Sequence, residues 1–278
     1  NGSLVLAGTS YGKAYPKCDY LTELDVIVQK INKDELIGTY HYSGEGTSKA
    51  YSQKIVIDNK DNYIVASEEK LGPDNLEIGG SRAPMQRSLY KYDSNLNLLW
   101  ILEIPYEIVT PLSFEDKNIL VVSQNSIYIN GRTENNTYKL LKISEQGSIV
   151  YDQPSYPAVN LYFDKDKNIN VVSLPVSNQT TYDDDTTIYT LSSVNGKLLN
   201  AKLFQGVEYL GNYNDKEGDS YIYMFPGNNN PYNNTNPRIE VYKNLNLEFE
   251  RKISLEGTYA GIMVHSIDKN GTLFFSSS

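Results

Sequence analysis

The stretch Lys54–Ile104 opens KIVIDNKDNYIVASEE, passes through a polar Gly/Pro loop, and closes SLYKYDSNLNLLWILEI. Its apolar residues come in short bursts, and the breaks between them are turn-formers: Asp58-Asn59-Lys60-Asp61-Asn62, the loop, and Asp93-Ser94-Asn95. Bursts this short read as strands, and three breaks divide them into four. The spacing therefore predicts a four-stranded antiparallel meander.

Weaker copies of this unit fill the chain. Upstream, Asn1–Ser10 starts at a turn and runs on as a strand, a loop holds Gly12, Pro16 and Cys18, and strands follow at Leu24–Ile31 and Leu36–Tyr42. Downstream, strands are expected at Ile119–Ser123, Ile127–Asn130, Tyr138–Ile143 and Ser148–Tyr151, then in VNLYFDKDKNINVVSLPV with TIYTLSSVNGKLLNAKLF, and in VEYLGNYNDKEGDSYIYMF with RIEVYKNLNLEFERKISL. The end, GIMVHSIDKNGTLFFSSS, holds half a unit. First turns align at Gly2, Asn62, Ser126, Asn168, Asp219 and Gly271, with uneven spacing, so loops vary while strands do not.

A repeat that carries its own four-stranded sheet predicts an all-β fold, a β-propeller of antiparallel blades. About 21 strands make five blades the expectation, six being the alternative. Residues 1–278 are read as one propeller domain in which Ile262–Asp268 joins the N-terminal strands in a shared closing blade, burying edges that would otherwise pair with other chains. No window keeps a clean helical period, so no helix longer than about two turns is expected.

The units resemble the SBBP-type bacterial and archaeal β-propeller repeat: an apolar strand, Asp, a short Asn/Gly turn, a strand ending in Gly-Ser/Thr, a loop, an apolar strand with Lys, then Asp-x-x-Gly and often Trp. Leu24–Asn32 (LDVIVQKIN), Ile55–Ser67 (IVIDNKDNYIVAS), Ser126–Thr133 (SIYINGRT) and Tyr92–Trp100 (YDSNLNLLW) each match a different part. The resemblance covers nearly the whole chain and implies a secreted or surface-attached prokaryotic protein. Trp100 is also similar to the recurrent blade Trp of quinone-binding dehydrogenase propellers, although the chain has one Trp in all.

A formal net charge of -9 and a pI near 4.9 repel phosphates, so no nucleic-acid partner is expected. No apolar run approaches the roughly 20 residues of a membrane helix, so no membrane span is expected. Starting at Asn1 in mid-repeat, the sequence leads us to expect an upstream segment such as a signal peptide. Cys18 is the single Cys and reads as an unreactive thiol. The 24 Tyr suit half-buried strand faces and wet binding surfaces alike.

Two acidic stretches raise the question of Ca²⁺, the one cofactor weighed; none is predicted. Asp164, Asp166 and Asn168 alternate as oxygen ligands do in a calcium loop, but the sharp-turn Gly and the later bidentate Glu are missing, which favours a structural hairpin. Asp183-Asp184-Asp185 reads as a solvated loop tip, with Asp183 and Asp185 as the alternative ligands. His41 and His265 lie in predicted strands, and no Ser or Cys stands with a His and a carboxylate, so no catalytic residue is assigned. Ile78-Gly79-Gly80-Ser81 does not pass from strand to helix and is no phosphate cradle. Asn1, Asn135, Asn178, Asn233 and Asn270 head Asn-x-Ser/Thr sequons and are candidate glycosylation sites, in about the number that chance supplies.

Connections fall into two classes. Asp58–Asn62, Asp93–Asn97, Asp164–Asn168 and Ser193–Lys197 are short; Gly8–Thr22, Glu68–Arg87, Pro105–Asn118, Pro175–Thr187 and Pro226–Pro237 are long. In a meander the two classes lie on opposite faces, and long loops are where such scaffolds bind. The reading is a non-catalytic extracellular or cell-surface recognition or structural module, meeting a protein or glycan partner on the long-loop face. One alternative is a propeller enzyme, a lyase, hydrolase or quinone dehydrogenase with its site at the central channel; another is a self-assembling subunit of a surface assembly or filament.

Overall fold

The computed structural model describes residues 3–11, 24–32, 35–42, 47–71, 85–104, 120–123, 125–133, 135, 137–174, 185–226, 238–252, 262–267 and 272–277. Every regular element among them is a strand. Among the described residues no helix is long and apolar enough to cross a membrane.

The first sheet joins β1 (Ser3–Tyr11), β2 (Leu24–Asn32) and β3 (Glu35–Tyr42). The second joins β4 (Thr47–Ile57), β5 (Tyr63–Leu71), β6 (Met85–Tyr92) and β7 (Leu98–Glu103), and the third β8 (Leu120–Ser123), β9 (Ser126–Arg132), β10 (Tyr138–Ser144) and β11 (Ile149–Ser155). In the fourth stand β12 (Asn160–Phe163), β13 (Ile169–Ser173), β14 (Thr186–Leu191) and β15 (Leu198–Phe204); in the fifth β16 (Val207–Asn214), β17 (Ser220–Pro226), β18 (Arg238–Lys243) and β19 (Asn246–Lys252). Last come β20 (Ile262–Ile267) and β21 (Leu273–Ser277) as a pair. In every sheet, neighbours in sequence are neighbours in space. The chain divides into two compact units, Asn1–Thr110 with Leu120–Asp152, and Pro111–Ile119 with Gln153–Ser278.

The middle strands are buried on both faces. Tyr63–Ser67 of β5, Ser88–Tyr92 of β6 and Ile169–Ser173 of β13 are buried without a break, whereas β7 and β15 are largely exposed. A strand covered on both sides reads as a continuous apolar run, which is why the sequence shows bursts. In the first unit Val28 of the first sheet packs with Tyr63, Val65, Tyr90, Tyr92 and Leu96 of the second. In the second unit Val172, Ile188 and Phe204 meet Val207, Ile222 and Met224.

Four turns share one construction. At Asp58–Asn62, Asp93–Asn97, Asp164–Asn168 and Asp215–Asp219 the first residue's N–H donates to the fifth carbonyl at 2.9, 2.9, 3.0 and 3.0 Å, and the fourth N–H donates back to the first carbonyl. The fourth residue is left-handed, with φ of +59° at Asp61, +67° at Leu96, +63° at Lys167 and +85° at Gly218. This is a three-residue hairpin loop, a type I turn followed by a bulge. The leading Asp completes it, its Oδ1 accepting the fifth N–H at 2.9, 2.8, 2.8 and 3.0 Å. Where the fifth residue is Asn, its Nδ2 donates to Oδ2 of that Asp. A short carboxylate that reaches its own turn is the reason Asp recurs at this point.

A related turn holds the third sheet to the second. Gly147 is left-handed at φ +83°, and a Cβ there would lie 2.8 Å from Cδ2 of Trp100, whose Nε1 donates to the Glu145 carbonyl at 2.9 Å. Trp100 thus fixes one sheet to the next. Gly147→Ala should cost about 1–3 kcal/mol through backbone strain and a displaced indole. Because Trp100 is the only Trp, the displacement should appear as a red shift of native emission beside a lower urea midpoint. An unchanged midpoint and spectrum would refute that contact.

Several boundaries differ from the sequence reading. β4 begins at Thr47 rather than near Lys54, because bulges at Thr47/Lys49 and Ser52/Lys54 break the alternation that a pattern search follows. Part of the expected Glu68–Arg87 loop is ladder, Glu68 facing Arg87 and Lys70 facing Met85, since backbone pairing does not require apolar side chains. Two further connections are short: the fourth sheet passes to the fifth through Gln205 and Gly206, and β9 passes to β10 through a hairpin in which Thr133 N–H donates to the Thr137 carbonyl at 2.8 Å. At the C-terminus β20 pairs with β21 along its length, and β1 with β2, as separate sheets among the described residues.

Candidate functional site

Among the described residues, one group of three carboxylates close enough to share an ion sits at the β16–β17 turn. Asp215, Glu217 and Asp219 bring one carboxylate oxygen each within 4.8 Å of one another. The turn geometry forces this, because alternate positions of a tight hairpin loop project to one side. Asp215 Oδ1 accepts the N–H groups of Glu217 at 2.9 Å and Asp219 at 3.0 Å. Asp219 Oδ1 accepts Asn244 Nδ2 at 2.7 Å, and its Oδ2 lies 3.0 Å from Lys243 Nζ. The Asn244 amide and the Lys243 ammonium hold the Asp219 carboxyl below the usual carboxylate range; the same contact with Asp219, together with Tyr221, raises the Lys243 ammonium.

Aromatic rings flank the cluster. Tyr213 and Tyr221 stack with centroids 4.9 Å apart, Tyr223 stands 6.1 Å from Tyr213, and Lys243 Nζ lies 5.4 Å from the centre of the Tyr221 ring. Three carboxylates are the hard oxygen ligands a Ca²⁺ ion takes, and Asp215, Glu217 and Asp219 are the described residues able to offer them. Lys243 already balances one of the charges, and the backbone and Asn244 already use several lone pairs. The group is a turn closed by its own hydrogen bonds, with one of its three charges paired. The alternation Asp215-x-Glu217-x-Asp219 was the signal in the sequence, masked there by its likeness to ordinary turn punctuation.

The residues singled out from sequence are dispersed. Asp164 spends both oxygens on Asn168, through the backbone N–H at 2.8 Å and Nδ2 at 3.2 Å, while Asp166 is exposed at the turn's third position. Asp185 is half-buried, and its Oδ1 accepts the Gly206 N–H at 2.7 Å, tying the start of β14 to the β15–β16 turn. Asn135 is exposed on the β9–β10 turn. Asp183, Asn1, Asn178, Asn233, Asn270 and Cys18 lie outside the described residues, as do the side chains of His41 and His265. Trp100 is a structural tie between sheets.

Polar groups that sequence reasoning missed lie inside the sheets. Lys91 Nζ is 2.8 Å from Asp58 Oδ2, with both side chains at most 4% exposed. The equivalent place in the fourth sheet is filled by Thr190, whose Oγ1 donates to Asn170 Oδ1 at 2.7 Å. On the first strands of the fourth and fifth sheets, Asn160 Nδ2 donates to Asn212 Oδ1 at 2.8 Å and to the Tyr209 hydroxyl, which itself donates to Asn212 Oδ1 at 2.5 Å. Burial raises the Tyr209 phenol, so it stays protonated as a donor.

No family model matches the chain, and no curated protein matches it. Among solved structures it is similar to a protein of unknown function from Bacteroides caccae, at 10% identity over 84% of this chain and 78% of that one, with a TM-score of 0.43. It is also similar to a puromycin-hydrolyzing peptidase of Mycobacterium tuberculosis, at 10% identity over 95% of this chain and 40% of that one, with a TM-score of 0.47. The C-terminal WD40 domain of Sif2 aligns with 91% of this chain and 89% of its own at 9% identity and a TM-score of 0.31. Likeness at this level carries no argument about activity, and the reading below rests on the sheets and their turns.

Proposed function

We propose that residues 1–278 form one five-bladed β-propeller of the kind the SBBP-type repeat builds. The four four-stranded sheets are four of its blades, and the strands at the two chain ends complete the fifth. It acts as a non-catalytic recognition or structural module at the cell surface or outside the cell, engaging a protein or glycan partner through its long connections. One observation carries this reading. Four of the turns after first and third strands are closed by their own carboxylates, at Asp58, Asp93, Asp164 and Asp215, while residues 72–84, 174–185 and 227–237 leave the opposite ends of their sheets as long connections. A scaffold rigid at one end and variable at the other is built to present loops.

The test replaces residues 72–84, the β5–β6 connection, by a short Gly/Ser link that leaves both strands intact. Binding of the full chain and of this variant is measured on a glycan array and on a purified cell-surface protein fraction. The variant should keep the parent's far-UV CD and melting temperature and lose binding by about tenfold or more, some 1.4 kcal/mol. Undiminished binding by this variant, with loss instead on substituting Lys165 and Asp166 at the opposite end, would place recognition on the wrong face.

A further inference from the structure

The β9–β10 turn departs from its counterparts in length and from the Asp-led turns in its closure. In the second, fourth and fifth sheets the second and third strands are joined by residues 72–84, 174–185 and 227–237, whereas here the hairpin Thr133–Thr137 suffices. It is also closed by hydroxyls rather than by a carboxylate. Thr133 Oγ1 accepts the Thr137 N–H at 3.2 Å and lies 2.7 Å from Thr137 Oγ1. Ser144–Ser148 is likewise hydroxyl-closed, with Ser148 N–H on Ser144 Oγ at 3.1 Å, but carries Gln146 at its third position. At Thr133–Thr137 the third residue is Asn135, exposed, and the closing residue two further on is Thr137, also exposed. The hydroxyl of the Asn-x-Thr sequon, that of Thr137, is therefore paired with the Thr133 hydroxyl that closes the hairpin, and Asn135 and Thr137 both stand exposed on the turn.

We infer that Asn135 is an N-glycan acceptor, modified when the chain is exported past an oligosaccharyltransferase. The co-reactant is a lipid diphosphate-linked oligosaccharide. Asn135 Nδ2 attacks the anomeric carbon, a C–N bond forms as the C–O bond to the diphosphate breaks, the lipid diphosphate leaves, and one amide proton passes to the transferase base. No oxidant or reductant is needed. The glycan occupies the place where the other three sheets carry long connections, so the third sheet presents sugar where they present peptide. This inference rests on the extracellular placement proposed above, though not on the binding role.

The full chain, exported through a eukaryotic secretory pathway, is digested, and the peptide containing Asn135 is analysed by mass before and after peptide-N-glycosidase treatment in ¹⁸O-water. Expected is a glycopeptide that the enzyme converts to ¹⁸O-labelled Asp at position 135, lost in Asn135→Gln and Thr137→Val and retained in Thr137→Ser. Thr133→Val separates the two roles of the hydroxyl pair. It breaks the pair yet leaves the sequon, so the glycan should persist although the hairpin is weakened. An exported chain whose Asn135 peptide is wholly unmodified overturns the inference, whatever the state of Asn178 and Asn233. Retention of the glycan in Thr137→Val overturns it as well.

Discussion

Asp58→Asn should destabilise the first unit by about 3–5 kcal/mol, the cost of leaving a buried ammonium without its counter-ion. Lys91 and Asp58 meet at 2.8 Å with side chains 3% and 4% exposed, so water cannot replace the lost partner. An Asn amide at position 58 would also turn either a donor or a weak acceptor toward Lys91. Lys91→Met should cost less, because Asp58 keeps the N–H groups of Lys60 and Asn62 at 2.9 Å each and the Asn62 amide at 2.9 Å. Asp58→Asn with Lys91→Met should recover much of the first loss, and the coupling is read from a double-mutant cycle in urea. A cost for Asp58→Asn below about 1 kcal/mol, the range of exposed pairs, would mean the pair is solvated.

The same pair sets an acid limit. Burial pushes the Asp58 carboxyl up, but the Lys91 ammonium, the Asn62 amide and the N–H groups of Asn62 and Lys60 outweigh it and hold the group below the usual carboxylate range. A carboxyl lowered on folding contributes stability that is fully present above the ordinary value, about 3.9, and is lost as pH falls through the folded value. Parent and Asp58→Asn should therefore converge in stability on acidification below about pH 4. Parallel curves down to pH 2 would contradict the assignment.

Ile222→Ala should cost about 2–5 kcal/mol in the second unit. Ile222 is fully buried where the fifth sheet packs on the fourth, against Val172, Ile188 and Phe204, with Val207 and Met224 beside it. Both sheets supply walls, so the cavity cannot collapse without moving a strand. Ile222→Val, which removes one methyl group, should cost about 0.5–1.5 kcal/mol. Val194→Ala, at a site 77% exposed, should leave the midpoint unchanged. If residues 1–278 melt as the single domain proposed here, Asp58→Asn and Ile222→Ala lower the same thermal transition. Two transitions, each moved by one variant, would show two independently folding units.

The turns and the strands they separate were legible in the residues alone, and for a local reason. An Asp that bonds the N–H groups two and four positions ahead needs nothing from the rest of the molecule, so Asp58–Asn62, Asp93–Asn97 and Asp164–Asn168 stand where the sequence places them. Strand type followed in the same way from bursts between turns. Strand ends did not, because the extensions of β4 to Thr47 and of β5 to Leu71 are held by backbone pairing across a sheet, on which side-chain pattern is silent.

What brings residues from separate strands together was decided only in three dimensions. Lys91 lies 33 residues beyond Asp58, and nothing near either residue marks the other. Leu96 holds a left-handed φ of +67° that a bulky side chain disfavours; its burial beside Val28, from another sheet, offsets the strain. Gly147 reads in sequence as a simple turn glycine, yet the indole of Trp100, from the neighbouring sheet, is what leaves no room for a Cβ. Asp215, Glu217 and Asp219 are prescribed locally as a turn, but the partners of Asp219, the Lys243 ammonium and the Asn244 amide, are delivered by the return of β18. Local hydrogen bonds act within a few residues and can be read in order. Burial and charge pairing depend on which strands and sheets lie side by side, and the order of residues alone does not carry that.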